Sequence, residues 1–514
     1  MRTDIFTAII LCVVLPFGML NCDIRGNSGS DTFSVVYRAD EADAGTVPVD
    51  GNAYRRGDTA VVLGNENGLS RDGYSFSGWS TASDGTGDVL LPGGEVEIED
   101  EDIELFALWE RIYIVIDVAS GFFKPAMEFS ADAEVTVDYG DGTLPVTFSA
   151  GSGPVSPDTY LFADGASLHQ VRILVDPWEA LSVINLGFRG GDGGNGDDER
   201  LLSDLPYIEF HPSFDEIPDD DADEPKDVVL DNVGTVTAIE NLSVAAGLTA
   251  LCCEYQPIEV LDLSDCGNIL TLEAYFSSIT TTNFQGCVSL RRCCLEATGA
   301  MYNWRVEDGD RIDDEVLDLR DCSDLRDIRG TGDDHVMMYL HPDAVAKLWH
   351  LCKTYNSRLT EVKIGDEEPA KLDIRRFTNL IQCWLSYSPV IEDAAATDAN
   401  ASLYSVWLSG CGVQTLDIEN QTQIRYVDID DNPLTDVNIR GCANLIVLKM
   451  HDCGLPEAMV DGILEDLDES LGDDPASDNL ITLDGTNDPP SAAGLVHAEA
   501  MRSRGWNISI NESS

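Results

Sequence analysis

The sequence predicts a mainly β protein, a long solenoid of short strands preceded by two small β domains, with few helices. Three observations predict it. Apolar residues recur at Leu248, Ile258, Ile269, Ile279 and Leu290, and again at Leu403, Val413, Ile424, Leu434, Leu445 and Leu455, in alternating steps of ten and eleven. A fixed 21-residue period built from two half-units marks a chain whose units bury their apolar faces only against each other. Ahead of the repeat, glycine-broken runs such as FSVVYRA, TAVVL and YSFSGWS alternate as short strands do. Helical periodicity is confined to residues 342–355 and 455–471.

At 514 residues the chain is too long for one ordinary core and divides into several domains. Its 43% apolar and 24% charged residues are ordinary for a globular protein. The sign of the charge is not: 93 Asp and Glu stand against 31 Lys and Arg, for a net charge of -62. A field of that sign opposes nucleic acid, whose affinity comes from cations neutralising phosphates, and it opposes anionic membrane surfaces in the same way. A solvated surface suited to a saline or alkaline exterior explains the acidity, and seven lysines in the whole chain fit that reading.

The leader sets the compartment. Residues 1–22 carry sixteen uncharged residues, IFTAIILCVVLPFGML, then Leu20-Asn21-Cys22. That run is short for a membrane span and suits a secretory h-region. It resembles a bacterial lipoprotein signal, although Asn21 stands where a small residue is usual. The resemblance implies cleavage before Cys22 and lipid attachment to it, so that the membrane is reached only through the anchor. Asp23 leaves open which membrane holds it. Residues 23–32, DIRGNSGSDT, read as a polar tether.

Residues 33–110 carry Tyr54, Gly57-Asp58, the run GYSFSGWS, Pro92-Gly93 and LFALW in that order. This order resembles the Listeria-Bacteroides repeat known from internalin B repeats, which implies a small β-grasp-like module acting as a stalk. Phe76, Trp79, Phe106 and Trp109 are the expected core of so small a domain. Residues 112–176 contain VTVDYGDGT, an Asp-Gly turn between β-rich runs. The segment resembles a PKD-like β-sandwich, with Tyr139 in the place of that signature's tryptophan, and such domains act as spacers.

From residue 178 to 454 each half-unit reads apolar, two others, apolar, one other, apolar, then a small or polar residue three later. That spacing places a short strand on each side of a coil, with its middle residue pointing outward. The pattern resembles bacterial leucine-rich repeats of the 21-residue kind. The resemblance implies that the small residue after each strand ties its turn to neighbouring coils by hydrogen bonds. Cys266, Cys287, Cys322, Cys411, Asn432, Cys442 and Cys453 hold that place, while Phe377 and Gln421 interrupt it. Twelve of the fourteen cysteines lie inside the repeat, without close Cys-x-x-Cys pairs, so they read as elements of the turn rather than as a disulfide or metal framework. Cys252 and Cys294 are expected to face outward.

Two outward columns are candidate sites. On one sheet Asp262, Asp318, Asp373 and Asp417 form a stripe, with Asn283 and Asn438 among them. Like charges on neighbouring strands repel, so the stripe is solvated, bridged by cations such as calcium, or met by a partner's basic residues. On the opposite sheet Trp384, Trp407, Asp428 and Lys449 follow one another. Exposed aromatics ringed by polar groups suit a protein or glycan surface, unless the inserted segment nearby covers them.

Insertions are expected at 301–313, a charged loop, and at 335–357, where PDAVAKLWHLCKTY places Val345, Leu348, Trp349 and Cys352 on one helical face. Residues 455–514, with a helix and the closing strand GWNISI, form a cap. The run GGDGGNGDD contains G-x-G-x-x-G at Gly191, Gly193 and Gly196, but Asp197 and Asp198 oppose phosphate there. Scattered histidines and no G-x-S-x-G argue against an enzyme. The expectation is a non-catalytic, adhesin-like, lipid-anchored surface protein without a cofactor, binding a protein on another cell or in the envelope. A glycan-binding module and a structural envelope protein are the alternatives.

Overall fold

The structure, a computed structural model, describes residues 32–512 except 156, 164–167, 187–234, 254–255, 275–276, 278, 280, 296–314, 331–334, 354–358, 368–370, 397–399 and 474. Cys22, the 301–313 insertion and the glycine-rich run at 190–198 lie outside the described residues. The chain divides into two units, Met1–Arg111 and Ile112–Ser514.

In the first unit Ile103–Arg111 runs between Val35–Arg38, its parallel neighbour, and Tyr74–Ser80, its antiparallel one. Alternation along the central strand turns Leu105 and Ala107 into the core, with Trp109 packed against it. Trp79 is fully buried, its ring edge-on to Tyr37 at 4.7 Å and to Phe76 at 5.0 Å, and its indole N–H donates to the Leu63 carbonyl. Three of the four rings expected in this core are there. Phe106 is not, because the two-residue period that buries its neighbours sends it to the other face.

The second unit opens as two facing sheets. Val146–Ala150, Ala133–Asp138, His169–Asp176, Ile114–Val118 and Val236–Glu240 form the first, all antiparallel. Gly153–Val155 and Ala126–Phe129 begin the second. In the YGDGT turn Asp141 accepts hydrogen bonds from the Tyr160 hydroxyl at 2.6 Å and the Thr143 hydroxyl at 2.7 Å, and these hold its carboxyl down at about 2. Gly140 is left-handed, and a Cβ there would meet the Gln170 carbonyl at 2.3 Å.

That second sheet does not end with the sandwich. Leu181–Asn185 pairs antiparallel with Ala126–Phe129 on one side and parallel with Ala250–Cys252 on the other. Strands then follow in parallel to Ile508–Ile510, giving fourteen in one sheet. Ala250, Thr271 and Arg292 stand in register one 21-residue period apart. A single buried core runs from Ile114 to Ile508, so sandwich and repeat share their interior. Val236–Glu240, within the span 178–454 that the repeat pattern covers, instead closes the sandwich sheet.

The rungs before the closing helices carry a second strand on the opposite side, as the half-unit spacing requires. Val260–Asp262 pairs with Thr281–Asn283, Glu315–Leu319 with His335–Leu340 and then Glu361–Ile364, and Thr415–Asp417 with Asp436–Asn438, all in parallel. The second apolar residues of the repeat's triplets, Leu251, Leu272, Cys293, Ile328, Leu351, Cys383, Val406, Val427 and Leu448, form an inward row along the ladder. Their flanking residues point outward.

The segment 335–357 is not an insertion. His335–Leu340 belongs to the three-stranded sheet with Glu315–Leu319 and Glu361–Ile364, the helix is limited to Pro342–Val345, and His350–Cys352 is a ladder strand between Asp327–Arg329 and Gln382–Trp384. The spacing Leu348-x-x-Leu351 is the repeat's own. It is concealed because Lys353 fills a core column that holds Cys253, Ala274, Leu295, Leu385, Leu408 and Ile429 in other rungs, all buried. Burial pushes the Lys353 ammonium down to about 8. Two helices, Glu457–Ser470 and Ala492–Ser503, accompany the last strands. Asp468 clamps them, with His497 Nδ1 at 2.8 Å and Arg504 Nη2 at 2.6 Å.

The turn thiols reach back one rung. Cys287 Sγ donates to the Leu263 carbonyl at 3.0 Å, Cys411 to Leu385 at 3.1 Å, Cys442 to Ile418 at 3.0 Å and Cys453 to Ile429 at 3.3 Å. Asn432 Nδ2 does the same to Leu408 at 2.9 Å. None of the twelve described cysteines forms a disulfide. Left-handed turn residues stack alongside: Gly410 lies under Tyr387, whose ring a Cβ would meet at 2.6 Å, and Gly485 lies beside Asp452.

Burial pushes the thiols of Cys287 and Cys453 up to about 12 and those of Cys411 and Cys442 to about 11. The unfolded chain ionises them near 9, so above that pH it binds fewer protons than the folded chain and stability is lost as pH rises. Under reducing conditions the urea midpoint at pH 10 is expected below that at pH 8. An equal or higher midpoint would show that these thiols are not buried in the folded state.

Candidate functional site

The candidate surface lies on the outward side of the ladder strands, where the third residue of each stands in one row. Register places Trp384 beside Trp407, Trp407 beside Asp428 and Asp428 beside Lys449. The two indole rings lie 5.5 Å apart at an interplanar angle of 40°. Lys449 Nζ sits 5.6 Å over the Trp407 ring and 3.3 Å from Asp428 Oδ2. Trp407 Nε1 donates to Ser405 Oγ at 2.6 Å, and Ser409 Oγ donates to Asp428. The four residues therefore form one contiguous patch, two π faces followed by a cation and a carboxylate.

The tryptophans are half-buried rather than fully exposed, because each ring lies against the next along the row. Asp428, expected at the surface, is 8% exposed. Its carboxyl oxygens are met by Lys449, a serine hydroxyl and the Asp430 amide, which donates at 3.4 Å. Asp430 behind it is pushed up to about 6, by burial and then by the charge of Asp428. Tyr426, on the neighbouring outward row, packs its ring 5.8 Å from Tyr404 and extends the aromatic zone.

Earlier rungs use the same two rows for charge. Arg292 Nε lies 2.6 Å from Glu273, Arg329 Nε lies 3.1 Å from Asp327, and His350 Nδ1 lies 3.1 Å from Asp327. Burial pushes the Asp327 carboxyl up, but His350, Arg329 and Arg292 together outweigh it and hold the group at about 2. Cys252 and Cys294 stand in the outward row as their spacing predicts, yet both are buried. The longer Glu273 lies between them, with Arg329 beyond Cys294. The sequence signal for this network was available in the outward positions 273, 292, 327, 329 and 350, and was missed because the strand at 350 was hidden.

The aspartates of the stripe do not stand in one continuous column. Asp262 pairs across to Asn283, Asp318 to Tyr339, and Asp417 to Asn438, while Asp373 belongs to a separate sheet from Asp318. Each carboxylate closes its own turn instead. Asp262 accepts the Ser264 amide at 2.9 Å, Asp318 the Arg320 amide at 3.1 Å, Asp373 the Arg375 amide at 3.0 Å and Asp417 the Glu419 amide at 3.4 Å. Arg320 and Arg375 add side-chain contacts that hold Asp318 and Asp373 below the usual carboxylate range. Among the described residues no three His, Cys, Asp or Glu side chains converge as a metal ion would need.

No family model matches the chain. A putative membrane protein of Evansella cellulosilytica is 26% identical over 168 residues, which are 32% of this chain and 24% of that protein. A putative Gly-rich membrane protein of the same organism is 40% identical over 81 residues, 15% of this chain and 9% of that protein. The chain thus covers a quarter or less of the relatives it matches. Among solved structures, the functional domain of InlJ from Listeria monocytogenes, which includes a cysteine ladder, aligns over 48% of this chain and 52% of its own, with 17% identity and a TM-score of 0.31. The internalin InlF of Listeria monocytogenes aligns over 55% and 85%, with 12% identity and a TM-score of 0.29. Among the described residues no helix is long and apolar enough to cross a membrane.

Proposed function

We propose that this chain is a non-catalytic, adhesin-like surface protein that binds another protein through the outward rows of its ladder sheet. The contiguous patch of Trp384, Trp407, Asp428 and Lys449 carries the reading. Paired indoles supply a large apolar contact at small entropic cost, and the adjoining ion pair supplies direction. The parallel ladder holds both without any cofactor, so recognition needs little reordering of the site. A glycan is the second reading, favoured by the two tilted ring faces 5.5 Å apart, on which sugar rings pack. The 33–110 and 112–176 segments act in this reading as stalk and spacer, and Cys22 carries the lipid that holds the chain to the cell envelope.

Beads coated with the full mature chain are expected to adhere to target cells, and the Trp384→Ala, Trp407→Ala double variant to lose about tenfold or more of that adhesion, as truncation of two central aromatics costs a few kcal/mol. Protease treatment of the target cells abolishes adhesion if the partner is a protein, and periodate does so if it is a glycan. Undiminished adhesion of the double variant would remove the patch from the function. For the anchor, Cys22→Ser is expected to move the chain from the membrane fraction to the medium; an unchanged membrane fraction would refute lipid attachment there.

A further inference from the structure

At the N-terminal rim of the ladder sheet the chain reverses the sign of its charge. Over the whole sequence carboxylates outnumber Lys and Arg by 93 to 31. At this rim three cations converge on one carboxylate, Asp324. Arg291 Nε lies 2.8 Å from it, Arg326 Nη2 3.3 Å and Lys347 Nζ 3.3 Å. Three positive charges less one negative leave an excess of two.

The cluster is part of a row fixed by the backbone. The Arg326 amide donates to the Arg291 carbonyl, Trp349 to Arg326, Ile381 to Trp349, Tyr404 to Ile381 and Arg425 to Tyr404, at 2.6 to 2.9 Å. That row of six contains three arginines, two aromatics and no carboxylate. Arg326 lies 5.7 Å from the Trp349 ring and Arg425 5.5 Å from the Tyr404 ring, so each π face of the row has a cation beside it. The side chains of Arg291, Arg326 and Lys347 are 39%, 31% and 41% exposed, and Trp349 is 36% exposed.

We propose that this rim recognises an acidic polypeptide segment of the protein partner, whose carboxylates pair with Arg291, Arg326 and Lys347 and whose apolar residues lie on Trp349 and Tyr404. The proposal rests on the protein-binding reading above and names the chemistry of that partner. A narrow peptide can sit within the roughly 8–10 Å over which the rim's own charge dominates, whereas a broad anionic membrane also meets the surrounding negative field. Guanidinium groups favour carboxylates through paired hydrogen bonds, which suits a chain of glutamates or aspartates.

The test is fluorescence anisotropy of labelled poly-L-glutamate titrated with the full mature chain at low salt. Saturable binding is expected, weakened about tenfold or more by raising salt well above physiological strength. The Arg291→Gln, Arg326→Gln, Lys347→Gln variant is expected to lose about tenfold or more in affinity. Lys347→Gln alone, which removes one cation and leaves both arginines in place, is expected to lose about two- to threefold and, with its melting temperature measured alongside, decides the matter if the triple variant does not fold. The Trp384→Ala, Trp407→Ala chain should still bind poly-L-glutamate, so loss of adhesion through the tryptophans and loss of acid binding at the rim are separable. No saturable binding by the wild type, unchanged affinity in Lys347→Gln, or capture of polygalacturonate but not poly-L-glutamate would each overturn the proposal.

Discussion

Every rung of the second unit can bury its apolar face only against the rungs on either side. The inward row of Leu251, Leu272, Cys293, Ile328, Leu351, Cys383, Val406, Val427 and Leu448 is the residue-level form of that constraint. Burying a leucine stabilises by about 2 kcal/mol, but here the gain exists only when the next rung is in place. Parallel pairing then satisfies the backbone across the stack, and the turn thiols add a second hydrogen bond to carbonyls that already accept one from their own turn. The first rung needs an equivalent neighbour. It finds one in Ala126–Phe129, so the sandwich serves as the N-terminal end of the stack, and the helices with Ile508–Ile510 complete the other end.

The same geometry turns a one-dimensional sequence into columns of chemistry. Positions 21 residues apart become neighbours across one strand spacing of roughly 4.8 Å, so a single substitution per rung builds a surface. The outward rows change character along the stack, from the Glu273, Arg292, Asp327, Arg329 and His350 network to the Trp384 and Trp407 pair and on to Asp428 and Lys449. A rigid scaffold with variable columns suits recognition, since the ladder fixes positions before any partner arrives.

Much of this was legible in the sequence, for identifiable reasons. The 21-residue period reveals the strands at 250, 271, 292, 405, 426 and 447 because three apolar residues recur in each rung. It conceals the strand at 350 because Lys353 breaks the apolar triplet, and the charged network was lost with it. The row of Trp384, Trp407, Asp428 and Lys449 follows from spacing alone, whereas the burial of Asp428 depends on Ser409 and Lys449 closing over it. The aspartate column looks uniform in the sequence, whereas in the structure each of its carboxylates accepts a local turn amide. The basic rim sits one residue ahead of each strand, a place without an apolar pattern to draw the eye.

The shared interior from Ile114 to Ile508 is tested most directly by hydrogen exchange in graded urea, read by mass spectrometry on peptides from the unit Ile112–Ser514. If sandwich and solenoid are one stack, peptides covering His169–Asp176, Leu181–Asn185 and Ala250–Cys252 lose protection at the same urea concentration. Sandwich peptides that stay protected after the first ladder strands have exchanged would contradict it, and would make the solenoid a separate domain with its own beginning.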